Sequence, residues 1–495
     1  MRLKTILIIL ITILINKLAV SQTNDCLKDF DFLVKKIQAD YPGYNIKVTE
    51  ANKSQLQFLE KEIKQKITIH PDSCGYYFND YTYFFKDHHL RVNRIRNEKQ
   101  QQNETMEIST YGKNLYVNVD SLQQTTKNTT GIEGVWEGFR QKFIVIKDGQ
   151  KYVGVVVNCK GWKKGQVIYE YEPINDSVFN VINYSLIKNK NPYKTKASIH
   201  LNGKIIELHD DTRFVRKSDS EILDKSILFS YIPVFPNGLN TYPVALYLDD
   251  STYYLRISSF YSNTGNELVQ KHWDEIMSRP NLIIDIRNNS GGQDNYYEEL
   301  AKLIYTKPTE TIGVEWYASK GNIKYFEDAM KKGEILNGEE GMKWTKALVE
   351  AMKENIGGFV THPYSLNDNP IGKKDTIYSM PRKVGIIING GNASSAEQFL
   401  LTARQSDKVI LFGNCNTAGV LDYSNITPSP FPSNNYQLWC PMTRSKRLPE
   451  NPIDNIGISP DVIIPFSATE QLYDKLDNWV YFVKNYLEFS NAENE

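Results

Sequence analysis

From about residue 240 the chain alternates short apolar runs with amphipathic ones, and this alternation restricts the fold more than any other feature. Tyr253–Ile257, Leu282–Ile286, Val384–Ile388 and Val409–Phe412 read as strands, and Glu267–Met277, Tyr296–Tyr305 and Ser395–Arg404 as helices. Strands that are apolar nearly throughout must be covered on both faces, which predicts an α/β layered core. A polar, helical insertion is expected near 320–357, and an amphipathic helix near Thr469–Phe489 closes the chain.

At 495 residues the chain exceeds one ordinary domain. Arg2 and Lys4 precede the apolar run Ile6–Ile15, and Ala19-Val20-Ser21 follows with small residues. This predicts a signal peptide over 1–21 and an exported protein, periplasmic or secreted, with no membrane span after cleavage. Residues 22–104 read as a helical unit. Leu27, Phe30, Val34 and Ile37 form one stripe, and Leu56, Leu59, Ile63 and Ile67 a second. Residues 105–235 read as a mostly antiparallel β domain. Its hairpin signals are Asp148-Gly149, between Phe143–Ile146 and Tyr152–Val157, and Asn202-Gly203, between Ile199–Leu201 and Lys204–Leu208. Residues 236–495 form the α/β core.

Lys+Arg and Asp+Glu each number 58, so no basic excess attracts nucleic acid. Hydrophobic residues make up 41%, enough apolar surface to exclude a disordered polyelectrolyte. Export permits disulfides, and Cys26–Cys74 and Cys415–Cys440 are the pairings to test first. No Cys/His cluster has zinc spacing, and no phosphate loop or dinucleotide fingerprint occurs, so no metal or cofactor is expected. Oligomeric state is not legible.

Three loops carry candidate chemistry, and each also has a plain structural reading. Asp285-Ile286-Arg287-Asn288-Asn289-Ser290-Gly291-Gly292 follows a strand, where paired glycines let backbone N–H groups approach a ligand oxygen or simply make a tight turn. Asn389-Gly390-Gly391-Asn392-Ala393-Ser394-Ser395-Ala396-Glu397 opens a helix. Ser394 is there either a nucleophile at the positive end of the helix dipole or an N-cap. Asp87-His88-His89 offers a histidine that accepts a proton near neutral pH, or a surface loop.

In their order these segments resemble the tail-specific protease, or C-terminal processing peptidase, family of serine peptidases. Asp285–Gly292 resembles its Asp-x-Arg-x-Asn-x-Gly-Gly signature, and Ser394-Ser395-Ala396-Glu397 its nucleophile motif. Gly413 with Thr417-Ala418-Gly419 resembles its Gly-Glu-x-Thr-x-Gly segment, and Gly457-Ile458-Ser459-Pro460-Asp461 its closing Gly-Val-x-Pro-Asp. Val420 stands where one branch carries a dyad lysine, so the likeness is to the tricorn-like Ser–His branch.

The resemblance implies a crotonase/ClpP-like layered core and an exported endopeptidase acting on a peptide or protein substrate. It implies Ser394 as nucleophile, His89 as general base and Asp454 as the orienting acid. The N–H of Ser395, with one from Gly291 or Gly292, would form the oxyanion hole. Asp454 replaces the more usual Glu, and His88 and Leu90 flank His89 where other residues are common. These departures leave open an alternative, a catalytically inactive member that binds exported peptides or glycans. A crotonase-type acyl-CoA enzyme shares the core but is disfavoured by export.

Overall fold

A computed structural model describes residues 23–95, 118–125, 131–138, 141–159, 161–188, 191–200, 203–208, 213–217, 244–365, 371–466, 472–473 and 476–492. The signal peptide expected over 1–21 lies outside the described residues, as does Asn202. Among the described residues no helix is long and apolar enough to cross a membrane.

The core is a six-stranded sheet in the order Val244–Tyr247, Thr252–Arg256, Asn281–Asp285, Lys383–Ile387, Val409–Gly413, Val462–Ile463. The first pair is antiparallel and the others are parallel. Side chains alternate across such a sheet. Leu282, Ile284, Val384, Ile386 and Leu411 therefore pack on one face with Val269, Leu300, Phe399 and Leu400 of three helices. Ile283, Ile387 and Phe412 pack on the other face with Trp479, Val480, Val483 and Leu487 of the C-terminal helix. Burial on both faces explains why these strands read as continuous apolar runs.

Two helices differ from expectation. The run near Glu267–Met277 forms two short helices, Thr264–Lys271 and Trp273–Met277, parted at His272. The last helix spans Asn478–Ala492 rather than starting near Thr469, because Leu472–Tyr473 and Leu476–Asp477 pair as strands first.

The β-rich region closes into an eight-stranded barrel, from Gly134–Gly138 to Arg213–Arg216. A single buried cluster draws on all eight strands, including Trp136, Phe143, Tyr169, Tyr171, Phe179 and Phe214. Small barrels fill their interior with side chains in this way.

A second, antiparallel sheet was not legible in the sequence pattern. It joins Arg91–Arg94, Tyr436–Ser445, Val314–Tyr317 and Phe359–Val360, with Tyr423–Pro430 also paired to Tyr436–Ser445. Arg91 stands opposite Trp439 and Arg94 opposite Tyr436, which fastens the helical unit to the core. Phe30, Ile63, Phe78 and Tyr81 of that unit then share one cluster with Tyr423, Phe431 and Leu438.

The insertion consists of helices Lys320–Lys332 and Gly338–Glu354. The first of them docks on the helical unit, where the Gly321 N–H donates to Asp40 Oδ1 at 3.1 Å. Cys26 and Cys74 form a disulfide. The pairing of Cys415 with Cys440 is not formed: Cys415 is exposed on a loop, whereas Cys440 is buried among the side chains of the helical unit.

Candidate active site

Ser394 sits at the junction between strand Lys383–Ile387 and helix Ser395–Ala403, with φ 57° and ψ −125°. An ordinary N-cap residue has extended backbone. A non-glycine residue at positive φ costs roughly 1–3 kcal/mol and persists only where its surroundings impose it. Ser394 is the N-cap of this helix and forms a capping box with Glu397, but its positive φ goes beyond what an ordinary N-cap requires.

The surroundings that impose it centre on Glu397, which is fully buried. Its carboxylate accepts the N–H of Ser394 at 3.2 Å, the Thr417 hydroxyl at 2.5 Å, and the N–H groups of Gly419 and Val420, both at 2.8 Å. Burial raises its carboxyl above the ordinary range, against the pull of these four donors. The Ser394 N–H also donates to the Val420 carbonyl at 2.9 Å. Thr417 in turn is locked to the closing motif. Ile458 N–H donates to its hydroxyl at 2.7 Å, and a Cβ on Gly457, at φ +74°, would lie 2.2 Å from the Thr417 carbonyl oxygen. Three of the sequence motifs thus form one hydrogen-bonded unit around the serine turn.

The glycine pair closes on the same turn. A Cβ on Gly291, at φ +93°, would lie 2.8 Å from both Ser394 Cβ and Ser395 N, so only glycine permits this approach. The Gly291 N–H is engaged by Asn289 Oδ1 at 2.9 Å. The N–H groups of Gly292 and Ser395 meet no acceptor among the described residues, and Ser395 Oγ donates to the Gly292 carbonyl at 3.0 Å. Of the two glycines, Gly292 is therefore the one with an N–H open to a ligand.

Asp285 and Arg287 of the first motif are structural. Arg287 Nε donates to Asp285 Oδ1 at 3.0 Å, and Arg256 pairs with the same carboxylate, all three side chains buried. Burial opposes ionisation of Asp285, but the two guanidinium groups outweigh it and hold the carboxyl well below its usual range.

His89 reaches the core from the helical unit. Its Nδ1 lies 2.6 Å from the carbonyl oxygen of Tyr423, and its N–H donates to Asp87 Oδ1 at 2.9 Å. Asp87 Oδ2 also accepts the Tyr41 hydroxyl at 2.7 Å. Burial lowers the His89 pKa below 6.5, with Asp87 and the Tyr423 carbonyl opposing the fall. The imidazole is thus neutral at pH 7. If Nδ1 carries the proton given to Tyr423, Nε2 holds the free lone pair.

Asp454 Oδ1 accepts the N–H groups of Leu421 and Asp422 at 2.8 and 2.7 Å. Burial and the nearby charge of Asp87 push its carboxyl up to about 7. The structure therefore gathers Ser394, Ser395, Gly291 and Gly292 at one turn, and hangs His89 and Asp454 on the adjoining segment 420–423. Val420 and Tyr423 are separated by at most about 10 Å of extended chain. No hydrogen bond joins His89 to Ser394 or to Asp454 among the described residues. Sequence reading missed Tyr423 and Tyr41, whose roles depend on a carbonyl and a hydroxyl contributed from distant segments, a contribution that leaves no local signal.

Residues 251–464 match the model of peptidase family S41. The solved structure of mature CPAF complexed with lactacystin aligns with a TM-score of 0.52 at 13% identity, over 96% of this chain and 100% of that one. A second structure of mature CPAF aligns with a TM-score of 0.47 at 14% identity, over 90% and 93%. The photosystem II D1 C-terminal processing protease aligns with a TM-score of 0.36 at 12% identity, over 90% and 93%. No curated protein sequence matches. Residues 251–464 are thus similar to peptidase family S41, and the chain shares its overall fold with mature CPAF.

Proposed function

We propose that the protein is an exported endopeptidase that cleaves peptide or protein substrates through a Ser394 acyl-enzyme, with His89 as general base. The observation that carries this reading is the Ser394 turn. A serine at positive φ heads a helix, with two open N–H groups, those of Gly292 and Ser395, beside it. In this reading Ser394 Oγ attacks the substrate carbonyl while His89 Nε2 takes the hydroxyl proton. The N–H groups of Gly292 and Ser395 stabilise the oxyanion, each at about 3–4 kcal/mol of barrier. Gly291 gives the close approach to the turn. His89 then delivers the proton to the leaving amine, and water hydrolyses the acyl-enzyme. The Tyr423 carbonyl orients the imidazole. Asp454 acts as the acid through its charge, from across the Leu421–Asp422 turn.

The two-faced core sheet fits a crotonase/ClpP-like layering. Arg2, Lys4 and the apolar run Ile6–Ile15 support export to the periplasm or medium. Ser394→Ala tests the catalytic reading. It is expected to abolish hydrolysis of an unstructured peptide while circular dichroism stays that of the parent; comparable turnover by mutant and parent rejects it.

A second reading is an inactive member that binds exported peptides or glycans. It is favoured by the absence of a hydrogen bond between His89 and Ser394. Fluorophosphonate labelling decides between them: an active enzyme is labelled at Ser394, an inactive one is not.

A further inference from the structure

The turn that carries His89 is backed by a lysine that no motif predicts. Lys47 ends the short helix Tyr44–Lys47. Its ammonium lies 4.4 Å from the ring centre of Tyr423 and 6.0 Å from that of Tyr41. These are the two residues that hold the His89 turn, Tyr423 through its carbonyl and Tyr41 through Asp87. Lys47 Nζ also donates to the Lys86 carbonyl at 3.4 Å, and the same carbonyl accepts Asn455 Nδ2 at 2.8 Å. Lys47 and the Asp454-Asn455 turn therefore meet at the residue preceding Asp87. Lys47, Asp422, Tyr423 and Asp454 line one cavity of about 390 Å³.

Charged groups reach the surroundings of His89 from several elements. Its own turn presents Asp87 and His88, and the following strand presents Arg91. The core side presents Tyr423, Asp454 and Asp422, and Asp422 pairs with Arg447 at 3.4 Å. Asp87 and Asp454 repel one another and have no salt-bridge partner within 4 Å among the described residues. Lys47 is drawn to Asp87, Asp454 and Asp422, although burial disfavours its charge.

We propose that Lys47 is a positioning residue whose ammonium, seated over Tyr41 and Tyr423, balances the Asp87 and Asp454 carboxylates behind His89 and so sets the pH range in which His89 accepts a proton. The proposal rests on the reading of His89 as general base. A cation near an imidazole disfavours imidazolium. Loss of the Lys47 charge therefore moves the His89 titration to higher pH.

The test is an NMR titration of the His89 ring in the full chain, its signal identified by its loss in His89→Gln. Lys47→Met, or Lys47→Gln if the first variant does not fold, is expected to raise the His89 midpoint by about 0.5–1 pH unit. Lys47→Arg is expected to leave it where it is in the parent. The acid limb of kcat/KM on an unstructured peptide should move by the same amount in the same variants. A folded neutral variant with an unshifted His89 midpoint overturns the proposal. A merely structural Lys47 would lower kcat/KM equally at every pH without moving the limb. The ring titration needs no turnover, so a result against Lys47 stands apart from a result against Ser394, which the Ser394→Ala assay reads.

Discussion

Around Ser394 one buried carboxylate, Glu397, collects four donors from two motifs, whereas on the His89 side two carboxylates, Asp87 and Asp454, accept two donors each. Both arrangements bury acidic groups. The first satisfies its charge locally, as buried polar groups require, and fixes a strained turn. In the second, burial together with the nearby charge of Asp87 raises the Asp454 carboxyl to about 7. The serine side is thus built for rigidity and the histidine side for titration.

The contrast is broken most severely at His89, the proposed base. His89→Ala is expected to lower kcat by roughly 10³–10⁴-fold on an unstructured peptide with little change in stability. Unchanged turnover would assign the proton transfer to another group. Next in size is Glu397→Ala, which strands four donors and releases the Ser394 turn. A loss of about 3 kcal/mol or more in urea unfolding of the core is expected, together with loss of fluorophosphonate labelling. If Glu397→Ala unfolds like the parent, the clamp does not hold the turn.

Gly291→Ala sharpens the geometric side. The added Cβ meets Ser394 Cβ and Ser395 N, and the backbone must stay at positive φ. Labelling of Ser394 should fall at least tenfold, with a smaller stability loss of about 1–3 kcal/mol. Labelling at the parent rate would show that the turn has room for a methyl group.

The smallest effect concerns Asp454→Asn. The folded carboxyl titrates at about 7, above its unfolded value of 3.8. The folded state therefore binds more protons than the unfolded state between these values. Stability from this group is present at low pH and is lost as pH rises through about 7. Asparagine keeps an oxygen for the N–H groups of Leu421 and Asp422 but cannot ionise. The Tm of Asp454→Asn relative to the parent should rise from pH 5 to pH 8. A constant difference would place the carboxyl in the ordinary range.

Much of the core was legible because its information is local. Continuous apolar runs, buried on both faces, gave strands within a residue or two of Asn281–Asp285 and Lys383–Ile387. The Asp148-Gly149 turn marked one hairpin of the barrel, with Gly149 at φ +64°. The second sheet was not legible. Its strands Tyr423–Pro430 and Tyr436–Ser445 carry prolines and polar residues, and Tyr436–Ser445 pairs with Arg91–Arg94 and Val314–Tyr317 from far earlier in the chain.

The sequence by itself determined which residue types stand at the strand ends: Ser394 and Glu397, the glycine pair, Thr417 and Gly457. Their order and spacing are local properties of the chain. Only the tertiary structure decided that Gly291 N–H is engaged and Gly292 N–H open, that the Tyr423 carbonyl meets His89 Nδ1, and that Lys47 reaches the Lys86 carbonyl beside Asp87. Those outcomes rest on backbone carbonyls and amides, and on charges from distant segments. Side-chain identity does not encode where a carbonyl points, and the fields of buried charges add up only after the chain has folded.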